Sequence, residues 1–267
     1  MIFEMPTRAL ILAAGRGERM RPLTDTCPKP LLEVRGKALM QWSMEALARG
    51  GFNQLVVNTA WLGEQISGCF GDRLDVPEVQ TIGCHSRRAG PALIEYSHEG
   101  IDFGGALETA GGIARVLPKL GDTFWVLAGD IFAPDFVFSE SALQRFVASG
   151  KLAHLWLVPN PAHHMKGDFG LVPANSSQPG DAYLATNQAE VQYTFSTIGL
   201  YRKALFAAPY CNIPAGNPQG VKARLAPILR AAINDANISA ELYTGEWTDI
   251  GTPQRLVQLN QLPTQQD

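Results

Sequence analysis

Residues 10–32 constrain this chain more strongly than any other part of the sequence. They begin inside an apolar run, residues 9–14, that is short enough to form a buried strand. The next positions hold Gly15 and Gly17, three arginines, and Lys29 between two prolines. A glycine-rich turn after a buried strand can direct several backbone N–H groups at one point, which suits phosphate oxygens. Arginine and lysine add the positive charge that a triphosphate requires, so the sequence predicts a phosphate-binding loop after the first strand.

This loop differs from two common phosphate-binding motifs. It lacks the Gly-x-x-x-x-Gly-Lys-Ser/Thr string of P-loop proteins. It also departs from the Gly-x-Gly-x-x-Gly/Ala fingerprint of dinucleotide-binding folds, because Met20 stands at the last position, which disfavours a nicotinamide-dependent dehydrogenase. The longer string GRGERMRPLT at positions 15–24, followed by PKPL at 28–31, is far more specific than either fragment. An ordinary Gly/Pro-rich loop with solvated arginines is the alternative, but chance seldom matches so many positions.

The composition of the chain excludes several classes of binding partner. The net charge of -3 over 267 residues provides no basic surface for nucleic acid or for an anionic membrane. No apolar run is long enough to cross a bilayer, and the first residues show no secretion signal. None of the four cysteines forms a Cys-x-x-Cys pair, which argues against zinc and fits reduced thiols. We therefore expect a cytoplasmic protein without nucleic-acid or membrane partners.

The rest of the sequence alternates short apolar runs with amphipathic segments. Predicted strands cover residues 55–58, 94–97, 124–128, 153–158, 169–172, 183–186, 193–201 and 238–243. Predicted helices cover residues 39–49, 62–70, 107–117, 142–148, 225–233 and 253–262. An insertion or flap is predicted at 77–91, a polar loop at 99–105 and a turn at 175–181. This order predicts a parallel sheet with helices on its faces and a mixed or antiparallel extension, within one domain spanning residues 1–267.

Two aspartates are candidates for a metal site. Asp130 follows directly after an apolar strand, and ligands of open α/β sheets bind beyond the carboxyl ends of the strands. A carboxylate there would repel a triphosphate unless a cation stood between them, and Mg²⁺ commonly takes one or two carboxylates together with phosphate oxygens. Asp249, in the string WTDIGT, is the second candidate because the turn after the last strand can return to the site. A helix cap or turn former is the alternative for either residue.

Three further patterns leave alternatives open. The string LETAGG at 107–112 begins a helix with two glycines, which allows either close approach of a ligand or packing through small residues. Lys222 and Arg224 precede a predicted helix and either meet a sugar phosphate or remain solvated surface charges. His163 and His164 are adjacent, but no third ligand stands at a suitable spacing, so we predict no metal site there.

Taken together, these segments resemble the sugar-1-phosphate nucleotidyltransferase family over most of the chain. The resemblance implies an α/β fold with a Rossmann-like mixed sheet flanked by helices, of the nucleotide-diphospho-sugar transferase type. Larger members of the family carry a C-terminal left-handed β-helix built from hexapeptide repeats. No such repeats follow residue 262, so no β-helix is expected here.

The resemblance also implies roles for individual residues. Charge stabilisation at the phosphates falls to Arg19 and Lys29, and Mg²⁺ falls to Asp130 and Asp249. The implied nucleotide contacts are Ala13, Ala14, Gly15, Gly17 and Gly111, and the implied sugar-phosphate contacts are Glu108, Asp168, Thr197 and Arg224. A non-catalytic nucleotide-sugar binding protein would be favoured by loss of Lys29 or of either aspartate, and all three are present.

Segments 58–63, 160–169 and 225–230 resemble the uridylyltransferase branch that serves peptidoglycan (cell-wall) recycling. This implies UTP and N-acetylmuramic acid 1-phosphate as substrates, and a monomer or small homo-oligomer. A guanylyl- or thymidylyltransferase acting on mannose or glucose 1-phosphate is the alternative. This chain has Ala110 and Thr197 where that branch has glycine, and it has Arg224 where that branch has lysine.

Overall fold

Ten strands form one mixed sheet in the computed structural model, which describes residues 7–77, 90–174 and 183–261. In chain order the strands are β1 (Ala9–Ala13), β2 (Glu33–Val34), β3 (Lys37–Ala38), β4 (Gln54–Thr59), β5 (Arg73–Leu74), β6 (Ala92–His98), β7 (Thr123–Ala128), β8 (Ile131–Phe132), β9 (Ala153–Val158), β10 (Gly170–Pro173), β11 (Tyr183–Thr186), β12 (Thr194–Arg202), β13 (Ile238–Leu242) and β14 (Thr248–Asp249). The α-helices are α1 (Leu39–Arg49), α2 (Gly63–Phe70), α3 (Glu99–Phe103), α4 (Glu108–Val116), α5 (Glu140–Ser149), α6 (Leu225–Asn234) and α7 (Pro253–Gln261). The short pairs β2–β3 and β8–β14 lie outside the large sheet.

The order of strands across the large sheet is β10-β11-β13-β9-β12-β7-β1-β4-β6-β5. Strand β1 lies between β4 and β7 and runs parallel to both, with Ala13 opposite Thr59 and Leu12 opposite Ala128. The carboxyl ends of these three strands therefore meet at one edge of the sheet, where ligands of open α/β sheets bind. Strand β12 pairs antiparallel with β7 and β9, which begins the mixed half of the sheet.

Helices cover both faces of the sheet, and β1 shows this within two residues. Leu10 and Ile11 are both fully buried, yet they belong to two different hydrophobic clusters on opposite faces. One cluster includes Met44 of α1 and Trp125 of β7, and the other includes Leu229 of α6. A strand that is apolar on both faces is expected in the parallel part of a covered sheet. No described helix is long and apolar enough to cross a membrane.

The structure confirms the predicted fold class and most of the predicted elements. Helix α1 and strand β9 begin and end at the predicted residues, and the strands after residue 169 form the predicted mixed extension. Pro227 lies in the first turn of α6, where a missing N–H is tolerated. The predicted turn at 175–181, most of the segment 77–91 and the end of the chain after Gln261 lie outside the described residues.

One predicted element is wrong, because residues 99–105 contain helix α3 rather than a polar loop. Its acidic residues have partners that are distant in sequence. Glu99 is fully buried and accepts a hydrogen bond from Leu107 N–H at 2.7 Å, and Asp102 forms an ion pair with Arg115. The guanidinium of Arg115 also lies 4.7 Å from the ring centroid of Phe103. These tertiary contacts stabilise a short helix that its glycine-rich composition does not favour.

Candidate active site

A cavity of about 1000 Å³ opens at the carboxyl ends of β1, β4 and β7. Most of the residues predicted for the site line it, although they come from distant parts of the sequence. Those residues are Ala13, Ala14, Gly15, Gly17, Arg19, Lys29, Glu108, Asp130, Asp168, Thr197 and Arg224. Gly111 and Asp249 lie outside the set of residues that line the cavity, although Gly251 belongs to it.

The conformation of the loop after β1 depends on Gly17 and on its contact with Thr24. Gly17 has a φ of +66°, and a Cβ there would lie 3.0 Å from Cγ2 of Thr24. The Thr24 hydroxyl donates a hydrogen bond to the Gly17 carbonyl at 2.8 Å. A short 3-10 turn, Glu18–Met20, follows and buries Met20. The position therefore requires glycine, both for its left-handed backbone and for its close contact with Thr24.

The three arginines of this loop have different environments. Arg16 donates to the Thr24 carbonyl at 2.7 Å and to Asp25 Oδ1 at 3.0 Å, and its guanidinium lies 3.5 Å from the ring centroid of Trp61. Arg21 also donates to Asp25 Oδ1, at 2.8 Å. Arg16 and Arg21 therefore make contacts within the loop itself. Within the described part of the chain Arg19 makes no hydrogen bond or ion pair, and it lines the cavity, so its charge is available to a ligand.

Lys29 reaches across the cavity to Asp130. Its Nζ lies 2.5 Å from Asp130 Oδ2, and its side chain is only 10% exposed, against 38% for Asp130. Lys29 begins a 3-10 turn between Pro28 and Pro30, whose fixed φ angles restrict the backbone on either side of it. The lysine is thus held rigidly, while the carboxylate opposite it stays open to the cavity.

The β8–β14 pair brings the backbone of Asp249 close to the backbone of Asp130. In the β8–β14 pair Asp249 stands opposite Ile131, and Ile250 N–H donates to the Asp130 carbonyl at 3.0 Å. Asp249 Oδ1 accepts a hydrogen bond from Arg255 at 2.7 Å and lies 2.9 Å from His163 Nε2. The backbones of the two aspartates are thus adjacent, and a pair of carboxylates is a donor set that suits Mg²⁺ together with phosphate oxygens and water. The described residues contain no group of three or more His, Cys, Asp or Glu arranged to hold a metal by themselves.

The far end of the cavity is formed by Asp168 and by an irregularity in β12. Asp168 Oδ2 accepts a hydrogen bond from Phe195 N–H at 2.8 Å, and its Oδ1 lies 3.1 Å from His164 Nε2. The register of β12 against β9 shifts between Phe195 and Gly199. Thr197 lies within this bulge with a φ of +67°, and its buried Oγ1 makes no hydrogen bond to any residue that the structure describes. Bulges commonly redirect a side chain beside a functional site.

Helix α4 begins beside the cavity with an unusual backbone. Glu108 has a φ of +62° and, within the described residues, neither Glu108 nor Arg224 makes a side-chain hydrogen bond or ion pair. Gly111 packs closely against the backbone of Val221, since a Cβ at position 111 would lie 2.4 Å from the Val221 carbonyl oxygen. Its own N–H donates to the Ala223 carbonyl at 3.2 Å. The backbone of Gly111 is thus engaged by the segment that leads to Arg224.

Asn58 and Glu99 also line the cavity, although no sequence motif indicated either residue as part of it. Asn58 is a polar residue at the carboxyl end of an otherwise apolar strand, and that placement was the available signal. Burial raises the pKa of Glu99, although hydrogen bonds from Leu107 and Asn58 oppose the shift. Glu99 carried no sequence signal, because its side-chain partner Asn58 is 41 positions away and its other partner is a backbone N–H.

Comparisons with known proteins cover almost the whole chain. The model of the family described as nucleotidyl transferase matches residues 8–266. The chain is 42% identical over 258 residues to the N-acetylmuramate alpha-1-phosphate uridylyltransferase of Neisseria meningitidis serogroup B (strain ATCC BAA-335 / MC58), covering 93% of this chain and 95% of that protein. It is 27% identical over 262 residues to the protein of the same name from Caulobacter vibrioides, covering 94% of each.

More distant relatives match this chain in sequence or in fold. A mannose-1-phosphate guanylyltransferase of Mycobacterium tuberculosis is 26% identical over 93% of this chain and 62% of that protein. Among solved structures, a Bacillus anthracis protein described as a glucose-1-phosphate thymidylyltransferase superposes with a TM-score of 0.67 at 17% identity. That superposition covers 97% of this chain and 98% of the other.

Proposed function

The chain belongs to the nucleotidyl transferase family, as its sequence motifs predicted, and from this premise we propose that it joins UTP to N-acetylmuramic acid 1-phosphate. The products are UDP-N-acetylmuramic acid and pyrophosphate, in a cytoplasmic route of peptidoglycan recycling. The observation that carries this proposal is the 42% identity, over almost the full length of both chains, to a relative named for that activity. We propose further that the enzyme is a monomer or small homo-oligomer.

The proposed reaction is an in-line displacement at phosphorus. A phosphate oxygen of the sugar 1-phosphate attacks the α-phosphorus of UTP and forms the new P–O bond. The bond from the α-phosphorus to the bridging oxygen breaks, and pyrophosphate leaves with that electron pair. This step requires little covalent chemistry from the protein, so catalysis depends on positioning and on charge stabilisation.

Arg19 and Lys29 would supply that stabilisation. Both line the cavity next to the glycine loop, and Lys29 is positioned rigidly between two prolines. The backbone of Ala13, Ala14, Gly15 and Gly17 would receive the nucleotide. Mg²⁺ held by Asp130 and Asp249 would neutralise charge on the phosphate oxygens when it is bound. The proximity of the two aspartates through the β8–β14 pair supports that assignment.

The sugar 1-phosphate would occupy the end of the cavity formed by Glu108, Asp168, Thr197 and Arg224. N-acetylmuramic acid differs from N-acetylglucosamine by a lactyl ether whose carboxylate requires a balancing charge. Arg224 lines the cavity and Lys222 does not, which favours Arg224 for that carboxylate or for the sugar phosphate. Ala110 is fully buried in α4 and does not line the cavity. The departure at Ala110 therefore concerns packing, whereas the departures at Thr197 and Arg224 concern the pocket.

A substrate panel tests the proposal directly. Pyrophosphate release is measured for the 1-phosphates of N-acetylmuramic acid, N-acetylglucosamine, glucose and mannose, each with UTP, GTP and dTTP. We expect the highest kcat/KM for UTP with N-acetylmuramic acid 1-phosphate. A site built to pair with the lactyl arm should discriminate against sugars that lack it by orders of magnitude. A preference for mannose 1-phosphate with GTP, or for glucose 1-phosphate with dTTP, would reassign the substrates within the family.

A further inference from the structure

A chain of buried hydrogen bonds beside the cavity links the end of β1 to the segment that begins α4. Ala13 N–H, at the end of β1, donates to Asn58 Oδ1 at 2.9 Å. Asn58 Nδ2 donates to Glu99 Oε1 at 2.6 Å, and Leu107 N–H donates to Glu99 Oε2 at 2.7 Å. We call these four residues the Asn58–Glu99 network. Asn58 is 2% exposed and Glu99 is 0% exposed, so neither side chain is hydrated to any useful extent.

The network extends to the sugar-phosphate end through the backbone. The Leu107 carbonyl accepts a hydrogen bond from Ala223 N–H at 3.1 Å, and Ala223 precedes Arg224. Glu108, which lines the cavity, follows Leu107. The network therefore connects the loop that begins at Ala13 with the segment that presents Glu108 and Arg224.

Proton counting restricts which side chains can fill the two central positions. Ala13 N–H and Leu107 N–H are fixed donors at the two ends, so each requires an acceptor. An amide at position 58 meets Ala13 with its oxygen and must then present N–H to its neighbour. A carboxylate at position 99 can accept from both sides. One amide and one ionised carboxylate therefore satisfy every donor, whereas two amides or two ionised carboxylates do not.

Gly112 supports this arrangement from the opposite side. A Cβ at Gly112 would lie 2.6 Å from Glu99 Oε1 and 2.8 Å from Asn58 Nδ2. The glycine thus leaves the space that the Asn58–Glu99 pair occupies. This second glycine of the LETAGG string has a role in the network, and that role was not visible from the helix pattern.

We propose that Asn58 and Glu99 are positioning residues that hold the nucleotide loop and the sugar-phosphate segment in register for phosphoryl transfer. The inference rests on the proposed function for the reaction that is measured. A displacement of about 1 Å between two reacting groups can cost on the order of 10²-fold in rate. The network acts through Ala13 and Leu107, and its loss should lower kcat at saturation of both substrates more than it raises either KM.

The test is an exchange of the two side-chain types. Glu99→Gln leaves two amides between two fixed donors. Asn58→Asp leaves two carboxyl groups that satisfy both donors only while they share a proton, so this variant is measured above the pH at which that proton is lost. Each single variant should lower kcat by about tenfold or more and should speed amide hydrogen exchange at Ala13 and Leu107. The double variant Asn58→Asp/Glu99→Gln restores one carboxylate and one amide. We expect it to recover kcat to within about threefold of wild type, because coupled residues do not behave additively.

A control comes from α1, where Gln41 Nε2 donates to Glu45 Oε1 at 2.8 Å and neither residue lines the cavity, although Glu45 also pairs with Lys37 and Arg49. The Gln41→Glu/Glu45→Gln exchange should leave kcat and both KM values of the folded enzyme unchanged. Losses in the double variant at positions 58 and 99 that equal the sum of the single losses would overturn the inference, as would single variants with wild-type kcat and amide exchange.

If a single variant does not fold, the double variant decides, since a folded and active double variant supports the network and an unfolded or inactive one overturns it. Amide exchange is measured without substrate. An inactive wild type would therefore contradict the proposed function and leave the exchange result standing.

Discussion

Lys29 Nζ lies 2.5 Å from Asp130 Oδ2, across 101 positions of sequence. The contact exists because β1 and β7 are parallel neighbours, so that the chain leaving each strand emerges at the same edge of the sheet. It places the cation proposed for the phosphates against a carboxylate proposed for the metal. The ion pair holds both side chains at the cavity before any ligand is bound.

Replacement of Lys29 should affect chemistry more than folding. We expect Lys29→Met, which keeps most of the side-chain volume, to lower kcat/KM about 10²-fold or more with every nucleotide, because a charge at the triphosphate is lost. Asp130 is 38% exposed and can be hydrated in the variant, so Tm should remain close to wild type. Steady-state kinetics and calorimetry measure the two effects. Lys119→Met removes a lysine that pairs with Glu95 away from the cavity, and it should leave kcat/KM unchanged. Inactivity accompanied by a large loss of Tm would make Lys29 a structural residue.

The two aspartates should be separately essential for metal-dependent turnover. We expect Asp130→Asn and Asp249→Asn to lower kcat about 10²-fold or more at saturating Mg²⁺, and removal of divalent ions by EDTA to abolish wild-type activity. Asp75→Asn changes an exposed aspartate that pairs with Arg73, and it serves as the control. Near-normal rates in both variants would exclude a metal held by this pair.

The sequence predicted which segments meet at this edge of the sheet because its signals are local. The apolar run that becomes β1, the glycine loop after it, and Asp130 after β7 are each readable within a few positions. Parallel strands then bring those segments together without further information, since their carboxyl ends share one edge. Helix α1 was likewise predicted with its observed bounds, from its periodicity and the Gly50-Gly51 pair that ends it.

The features that could not be predicted depend on contacts between distant positions. Glu99 and Asn58 are 41 positions apart, and neither has a recognisable partner in the sequence around it. Arg16 and Arg21 contribute charge to the predicted loop, and only the structure shows that both pair with Asp25. The glycine at position 111 read as a nucleotide contact or a packing residue, and only the position of Val221 shows how closely that segment packs against it.

Gly112→Ala should destabilise the protein although alanine favours helices. The new Cβ would meet Glu99 Oε1 and Asn58 Nδ2 well inside contact distance, so we expect a loss of about 1–3 kcal/mol in the free energy of unfolding. Gly68→Ala, in α2, is the matched control, because nothing lies within 4 Å of its Cβ position. That change should gain up to about 1 kcal/mol from helix propensity alone. Urea unfolding of the two variants measures the difference, and equal effects would contradict the crowding argument.

Glu99 should make stability depend on pH in the opposite direction from a surface ion pair. Burial raises the pKa of the folded carboxyl, so folded Glu99 keeps its proton to a higher pH than unfolded Glu99 does. Its contribution to the free energy of unfolding is therefore fully present below the ordinary pKa of 4.5 and is lost as pH rises through the raised value. The free energy of unfolding is measured for wild type and for Glu99→Gln from pH 4 to 7. The value for wild type should fall relative to that of the variant as the pH rises. A gain instead would mean that the two N–H donors outweigh burial.

Thr197 should show a trade between stability and activity. A β-branched residue at a φ of +67° is strained by about 1–2 kcal/mol, and its buried hydroxyl has no hydrogen-bond partner in the described part of the chain. Thr197→Gly relieves both costs and loses about 0.5–1 kcal/mol through the added freedom of the unfolded chain, so we expect a net gain in the free energy of unfolding. If the hydroxyl pairs with the sugar, kcat/KM for the preferred sugar 1-phosphate should fall while discrimination against other sugars weakens. Thr197→Ser keeps the hydroxyl and should retain that discrimination. A less stable Thr197→Gly variant would show that the bulge is not strained, and unchanged sugar preference in both variants would remove Thr197 from the sugar pocket.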